Sequence, residues 1–134
     1  MVRNMFRAAA VSLAGVAVVA VWPGSASAAN LTLDSIGGRE RVKVTVTSTD
    51  VAMQTCSVLV NKKWGGQFDV LPGGKQSLVV GQVVPGTAAI EVMCVGVPLN
   101  GQAEVGLANP ALDALDSVLI GSGSSTLASD PTLR

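Results

Sequence analysis

The chain has 134 residues, and its nine Lys and Arg balance nine Asp and Glu, so it carries no net charge. It contains no His and no Tyr, while 49% of its residues are hydrophobic. This composition lacks the clustered basic charge of a nucleic-acid-binding surface and the imidazole groups on which much acid–base catalysis relies.

The first 28 residues have the three parts of a secretory signal peptide. Arg3 and Arg7 give a positive start, residues 8–21 are apolar or small, and Pro23-Gly24 ends this run before Ala26-Ser27-Ala28. Small residues in an A-x-A arrangement mark the site that signal peptidases cut. We therefore predict a signal peptide at 1–28 and a secreted or cell-envelope location.

The alternative for this segment is a retained membrane anchor. Its apolar run is shorter than the roughly 20 residues that a spanning helix needs, and no charged flank follows it. We expect no stable membrane span once the signal is removed. The remaining chain, 29–134, has seven Lys and Arg against nine Asp and Glu and keeps only Trp64 and Phe68 as aromatic residues.

Seven segments alternate apolar and polar residues with a period of two, which is typical of half-buried strands. They cover residues 31–34, 41–47, 56–60, 68–70, 76–84, 90–94 and 102–107. Turns are predicted between them where Gly and Pro cluster, among them Gly65-Gly66 directly after Trp64 and the segment from Pro98 to Gly101. The excess of β-branched Val supports an all-β domain at 29–108.

Seven short strands in a domain of this size resemble an immunoglobulin-like β-sandwich of the small exported bacterial, actinobacterial type. The resemblance is to the architecture. It implies strands A, B, C, C′ or D, E, F and G in chain order, with C and F as antiparallel neighbours in one sheet. Cys56 then lies at the start of C and Cys94 near the end of F.

The two cysteines of an exported chain are most simply interpreted as one disulfide, Cys56–Cys94. Cys56 is in phase with Val58, and Cys94 with Val92, so both thiols are expected to point inward. Closing this loop would stabilise the fold by roughly 4 kcal/mol in the chain-entropy account. The alternative is a redox or metal pair, but the chain has no C-x-x-C motif and no His.

A short amphipathic helix is predicted at 109–121, with Asn109 as N-cap and Pro110 as the first helical residue. Its apolar face would cover the sandwich, and Asp113 and Asp116 would be solvated near the helix start. The alternative is an edge strand at 117–120. Residues 122–134, rich in Ser and Thr, are expected to form a flexible tail.

No catalytic or cofactor-binding pattern is present in the sequence. There is no His to activate a nucleophile, no phosphate-binding glycine motif before a helix, and no dense run of oxygen ligands for calcium. We therefore expect no enzyme activity, no cofactor, no metal and no nucleic-acid partner.

Lys62, Lys63 and Trp64 form the one candidate contact surface. They combine two cations with the largest side chain of the mature chain at a predicted hairpin tip, where sandwich loops commonly bind partners. The alternative is that Trp64 folds back over the sheet edge beside Phe68.

Two functions are consistent with these features. The first is a non-catalytic secreted or cell-envelope interaction domain, whose partner would be an envelope protein or a glycan. The second is a carrier of a small apolar ligand that resembles the enediyne-binding apoproteins, which are exported β-sandwiches with two disulfides and a cleft. This chain can form only one disulfide.

Cleavage after Ala28 is directly testable. Intact-mass analysis of protein secreted by its native route should give the mass of residues 29–134. A mass that retains residues 1–28 would contradict export as a cleaved, soluble domain.

Overall fold

A computed structural model describes residues 25–28 and 30–134, which form eight strands, one α-helix and two 3₁₀ turns. The strands are β1 (Ser25–Ala28), β2 (Leu31–Gly37), β3 (Val42–Ser48), β4 (Gln54–Val60), β5 (Lys63–Val70), β6 (Lys75–Val80), β7 (Gly86–Cys94) and β8 (Val97–Val105). Helix α1 spans Pro110–Gly121, and the 3₁₀ turns span Ser125–Leu127 and Pro131–Leu133.

The strands form two four-stranded antiparallel sheets that pack as a β-sandwich. One sheet has the order β1, β2, β3, β6, and the other has the order β5, β4, β7, β8. The seven predicted strands are β2 to β8, and their order matches A, B, E in one sheet and C′, C, F, G in the other. The predicted all-β sandwich with a short C-terminal helix is therefore confirmed.

Strand β1 was not predicted, because its residues belong to the end of the predicted signal. It pairs with β2 so that Ala28 lies opposite Leu31 and Ser25 opposite Asp34. The rest of that signal, 1–24, and Ala29 lie outside the described residues. If cleavage follows Ala28, β2 becomes the edge of its sheet.

The core lies between the inner faces of the two sheets and is built from small aliphatic side chains. Its fully buried hydrophobic residues are Val, Leu, Ile, Ala and Cys, with Val42, Val44 and Val46 of β3 completely inaccessible. No aromatic side chain belongs to this fully buried set in the described chain; Phe68 packs against it from the edge. Alternating valines thus produce two matching apolar faces.

The predicted disulfide is present. Cys56 of β4 and Cys94 of β7 are directly opposite each other in the antiparallel ladder, and both are fully buried. They therefore join two neighbours within one sheet, as the C and F assignment implied. Such bridges are typical of proteins that mature outside the reducing cytosol.

Two of the predicted turns are formed by other residues than those expected. The first reversal is at Asn61-Lys62, with φ of 52° and 68°, and the second is at Val95-Gly96, with φ of 45° and 82°. Positive φ at both central residues is the geometry of tight two-residue hairpins. Gly65-Gly66 and the segment from Pro98 to Gly101 therefore lie inside strands β5 and β8.

Helix α1 confirms the helical assignment of 109–121, but it docks by its polar face. Asp116 is fully buried, whereas Leu112, Leu115 and Val118 are 38%, 51% and 68% exposed. The Asn109 side chain caps the helix by accepting the Leu112 N–H. The expectation of solvated aspartates and a buried apolar face is therefore wrong.

The polar face docks on an ionic group that we call the Arg39 cluster: Arg39, Arg41, Asp113, Asp116 and Asp130. The Arg39 guanidinium donates to Asp113 Oδ1 at 2.8 Å and to Asp116 Oδ2, while Asp116 Oδ1 accepts the Ser129 N–H at 2.8 Å. Arg39 lies between β2 and β3, 77 residues from Asp116 along the chain. This ion pair determines which side of the helix is buried. Local periodicity in the sequence cannot predict a contact between residues so far apart.

Residues 122–134, expected to be a flexible tail, are instead docked. Ala128, Asp130 and Thr132 are 3%, 0% and 2% exposed. Asp130 Oδ1 accepts both the N–H and the hydroxyl of Thr132, and Oδ2 accepts the Arg39 N–H at 3.1 Å. Gly38 makes room for this carboxylate, since a Cβ there would lie 2.0 Å from Asp130 Oδ1.

These contacts set the ionisation of the cluster. The hydrogen bond from the Ser129 N–H, the Ser129 hydroxyl and Arg39 together lower the pKa of Asp116 against the opposing effect of burial. Burial raises the pKa of Asp130, but hydrogen bonds from Thr132 and from the Arg39 N–H, with the Arg41 charge, outweigh it and lower the pKa. Hydrogen bonding to Asp113 raises the pKa of Arg39.

No helix in the described part of the chain is both long enough and apolar enough to cross a membrane.

Replacing Arg39 should detach the C-terminal segment while leaving the sheets intact. In Arg39→Met, amide hydrogen exchange over 110–134 should accelerate at least about tenfold, because charge-assisted hydrogen bonds are lost. Lys43→Met is the matched control, since Lys43 Nζ donates to the exposed carbonyl of Arg134 at 2.9 Å. Equal protection in Arg39→Met and wild type would contradict the assigned role of the cluster.

Acid should release the same segment. A carboxyl whose pKa is lowered by folding stabilises the fold above its unfolded pKa of about 3.9, and this contribution disappears as the pH falls through the folded pKa. The NMR signals of the Ser129 and Thr132 amides should therefore stay constant from neutral pH to about pH 4 and shift only below it. Asp116→Asn should weaken this transition at Ser129, and a midpoint above that of a free Asp in wild type would contradict the argument.

Candidate functional site

The hairpin between β4 and β5 determines where the three predicted contact residues lie. Lys62 is in the two-residue turn, and Lys63 begins β5 opposite Val60. Trp64 is opposite Leu59, whose side chain lies on the outer face because Val58 and Val60 point inward. The structure therefore brings all three residues to one end of the hairpin, with Trp64 on a strand instead of at the tip.

A glycine pair follows Trp64 for a steric reason. The register of β4 and β5 shifts at this point, so that Val58 lies opposite Gly66 and Leu59 opposite Trp64. A Cβ at Gly65 would lie 2.9 Å from Val80 Cγ2, and Gly66 has φ of 142°. Glycine lets β5 bulge and pass close to β6 of the other sheet.

Trp64 is 65% exposed, while Phe68 packs against the core. The structure thus has the exposed arrangement and not the one in which Trp64 folds back beside Phe68. The strand register places Trp64 opposite Leu59, on the outer side of the sheet. Whether Trp64 contacts a partner stays a prediction.

The two lysines differ in their electrostatic surroundings. Lys62 Nζ lies 3.2 Å from Glu91 Oε1, in an exposed pair that contributes about 1 kcal/mol or less. Glu91 is opposite Leu59, so Trp64, Leu59 and Glu91 form one row across three strands. Lys63 makes no ion pair with any residue that the structure describes, and its charge is uncompensated at the hairpin end.

A pocket of about 250 Å³ opens beside Trp64. Val60, Asn61, Lys63 and Trp64 line it from the hairpin, and residues 80–84 line it from the segment that follows β6. Val60 and Val83 are 4% and 6% exposed, so they form its inner part. The site therefore combines a buried aliphatic base with an aromatic, amide and ammonium rim.

Backbone hydrogen bonds hold both walls of the pocket. Asn61 donates its N–H to the Ala89 carbonyl at 2.8 Å, and its side-chain Oδ1 accepts the Ala89 N–H at 2.9 Å. On the other wall, the Val83 N–H donates to the Glu40 carbonyl at 2.9 Å. A site fixed in this way loses little conformational entropy when a ligand binds.

The second wall of the pocket was not predicted from the sequence. Residues 76–84 were assigned to one strand interrupted by Gly81, whereas β6 ends at Val80 and Gln82 has φ of 57°. Gly81 was the only local signal of this break. Asn61 was missed because the turn was placed on the glycine pair.

The described residues contain no group of three or more His, Cys, Asp or Glu that could hold a metal ion. The residues that line the pocket offer packing and hydrogen bonding: an indole, two side-chain amides and one ammonium group around an apolar base.

The exposure of Trp64 gives a prediction about stability. Trp64→Ala should change the free energy of unfolding by less than about 1 kcal/mol, as surface substitutions usually do. Phe68→Ala should cost more, because Phe68 packs against the core. Chemical denaturation of both variants measures this, and a loss of about 3–5 kcal/mol in Trp64→Ala would identify a core residue.

Comparisons with known proteins identify no family for this chain. No protein family matches it, and no curated protein is similar to it. Among solved structures, it is similar to the cupredoxin domain of amoB from Nitrosocaldus yellowstonii, with 16% identity and a TM-score of 0.35. The match covers 57% of this chain and 56% of that one, and so spans little more than half of either.

Proposed function

We propose that the protein is a non-catalytic secreted or cell-envelope domain that binds a partner through the surface around Trp64. The observation that carries this proposal is the exposure of the only tryptophan in 29–134, on a rigid strand and beside a pocket. Aromatic side chains in such positions supply a large share of binding energy at interfaces.

Two features that are expected of an exported protein support the proposal. The signal-like segment at 1–28 and the Cys56–Cys94 disulfide are both expected of a protein that functions outside the cytosol. A fold held by a valine core and a disulfide provides a stiff support, so the loops and strand ends at one end of the sandwich can act as a fixed contact surface.

A second candidate is a small-molecule carrier, for which the pocket beside Trp64 is the specific observation. Its volume of about 250 Å³ lies below the roughly 300–1,000 Å³ of most pockets for drug-sized ligands. A carrier would therefore have to hold a smaller molecule or leave part of its ligand exposed.

Binding to isolated cell envelopes tests the first proposal. Residues 29–134 should be retained by envelopes from the source organism, and Trp64→Ala should reduce retention at least about tenfold. Leu71→Ala is the matched control, because Leu71 is 64% exposed and lies outside the pocket. Equal retention of wild type and Trp64→Ala would contradict the proposal.

A separate measurement tests the carrier. Protein purified from its native secretion is denatured, and the released fraction is examined by mass spectrometry. A stoichiometric small molecule that is absent from Trp64→Ala would favour the carrier over the interaction domain.

A further inference from the structure

We propose that the pocket beside Trp64 binds one unit of a neutral glycan, with the sugar ring packed on the indole and its hydroxyl groups bonded to the side-chain amides of Asn61 and Gln82. This inference rests on the proposed function and specifies the class of its partner.

The pocket combines the apolar and polar surfaces that a sugar ring requires. A sugar ring presents an apolar C–H face and a rim of hydroxyl groups that both donate and accept hydrogen bonds. Trp64 offers a broad apolar face that is 65% exposed, and Val60 and Val83 give the pocket an aliphatic base. An aromatic ring next to polar side chains suits a ligand that has both properties.

The polar side chains that line the pocket are of a type that suits sugar hydroxyl groups. Asn61 and Gln82 carry amides, which provide donors and an acceptor in one side chain, as hydroxyl groups require. The Oδ1 atom of Asn61 is held by the Ala89 N–H, which fixes the orientation of this amide and leaves its NH₂ group as the donor for a ligand. Asn61 and Gln82 line the two walls of this small pocket, and both have positive φ.

The size and the charge of the pocket also suit a neutral sugar ring. A volume of about 250 Å³ suits a single ring with the rest of a chain running over the open surface, and it is small for a polycyclic apolar ligand. Among the described residues, no acidic residue lines the pocket, and Lys63 is the only charged residue in its lining. The Lys63 ammonium group on the rim can donate a hydrogen bond to a hydroxyl oxygen of a sugar, whereas a polyanion would need a cluster of cations.

A fluorescence titration tests this inference, because Trp64 is the only tryptophan of residues 29–134 and reports on its own site. The probes are neutral trisaccharides of mannose, arabinose, galactose and glucose, with naphthol as the apolar probe and dextran sulfate as the anionic one. At least one neutral trisaccharide should shift the emission of Trp64 in a saturable way. Its affinity should not change when salt is added, since no ion pair contributes.

Three variants locate the binding, with calorimetry as the readout because Trp64→Ala does not fluoresce. Trp64→Ala should lower the affinity at least about 30-fold, as loss of an aromatic anchor does. Gln82→Gly keeps the positive φ, removes the amide and should lower affinity about fivefold. Leu71→Ala should bind like wild type.

The outcomes separate this inference from the proposed function. If only naphthol or only dextran sulfate binds, or if Trp64→Ala and Gln82→Gly bind sugar normally, the glycan inference is wrong. If envelope retention depends on Trp64 but is abolished by protease treatment and is not inhibited by any trisaccharide, the partner is a protein and only the glycan inference fails. If retention does not depend on Trp64, the proposed function fails as well.

Discussion

The register of β4 against β7, fixed where Cys56 lies opposite Cys94, determines which side chains of this protein reach the surface. Successive residues of a strand point to opposite faces, so a slip by one residue would exchange core and surface. With Cys56 inside, Val58 and Val60 are also inside and Leu59 is outside. Leu59 then lies opposite Glu91 of β7 on one side and opposite Trp64 of β5 on the other. The disulfide thus holds the row of residues that leads to the candidate site.

The composition of the core explains why the largest side chain is on the outside. Small aliphatic side chains from two sheets fill the core, and inserting an indole among them would overpack the core and strain both sheets. The glycine pair at 65–66 lets β5 bulge toward β6 and brings Trp64 beside the segment after Val80. The pocket is therefore a consequence of how the two sheets meet at their edge. One wall comes from the β4–β5 hairpin and the other from the connection between β6 and β7, which lie in different sheets, and each wall is held by backbone hydrogen bonds.

Local pattern in the sequence was enough to predict the sheets, the disulfide and the helix, because a period of two and inward phase are properties of single strands. The local pattern failed where contacts between residues far apart in the chain determine the structure. The buried face of α1 depends on Arg39, which no helical periodicity can reveal, and the same arginine orders the segment after the helix. At the candidate site, Lys62, Lys63 and Trp64 were found from their side chains. Gln82 was missed because it lies about 20 residues further along the chain, in the connection from β6 to β7, and joins them only where that connection passes the β4–β5 hairpin.

Oxidative footprinting of Trp64 tests the central claim, that this side chain is both exposed and the point of contact, most directly. Residues 29–134 would be oxidised with hydroxyl radicals, free and bound to isolated cell envelopes, and Trp64 oxidation measured by mass spectrometry against Met93, which is 46% exposed on β7. The account predicts rapid oxidation of Trp64 in the free domain and strong protection in the bound one, with Met93 protected less. Slow oxidation in the free domain, or equal oxidation of Trp64 in both states, would contradict it.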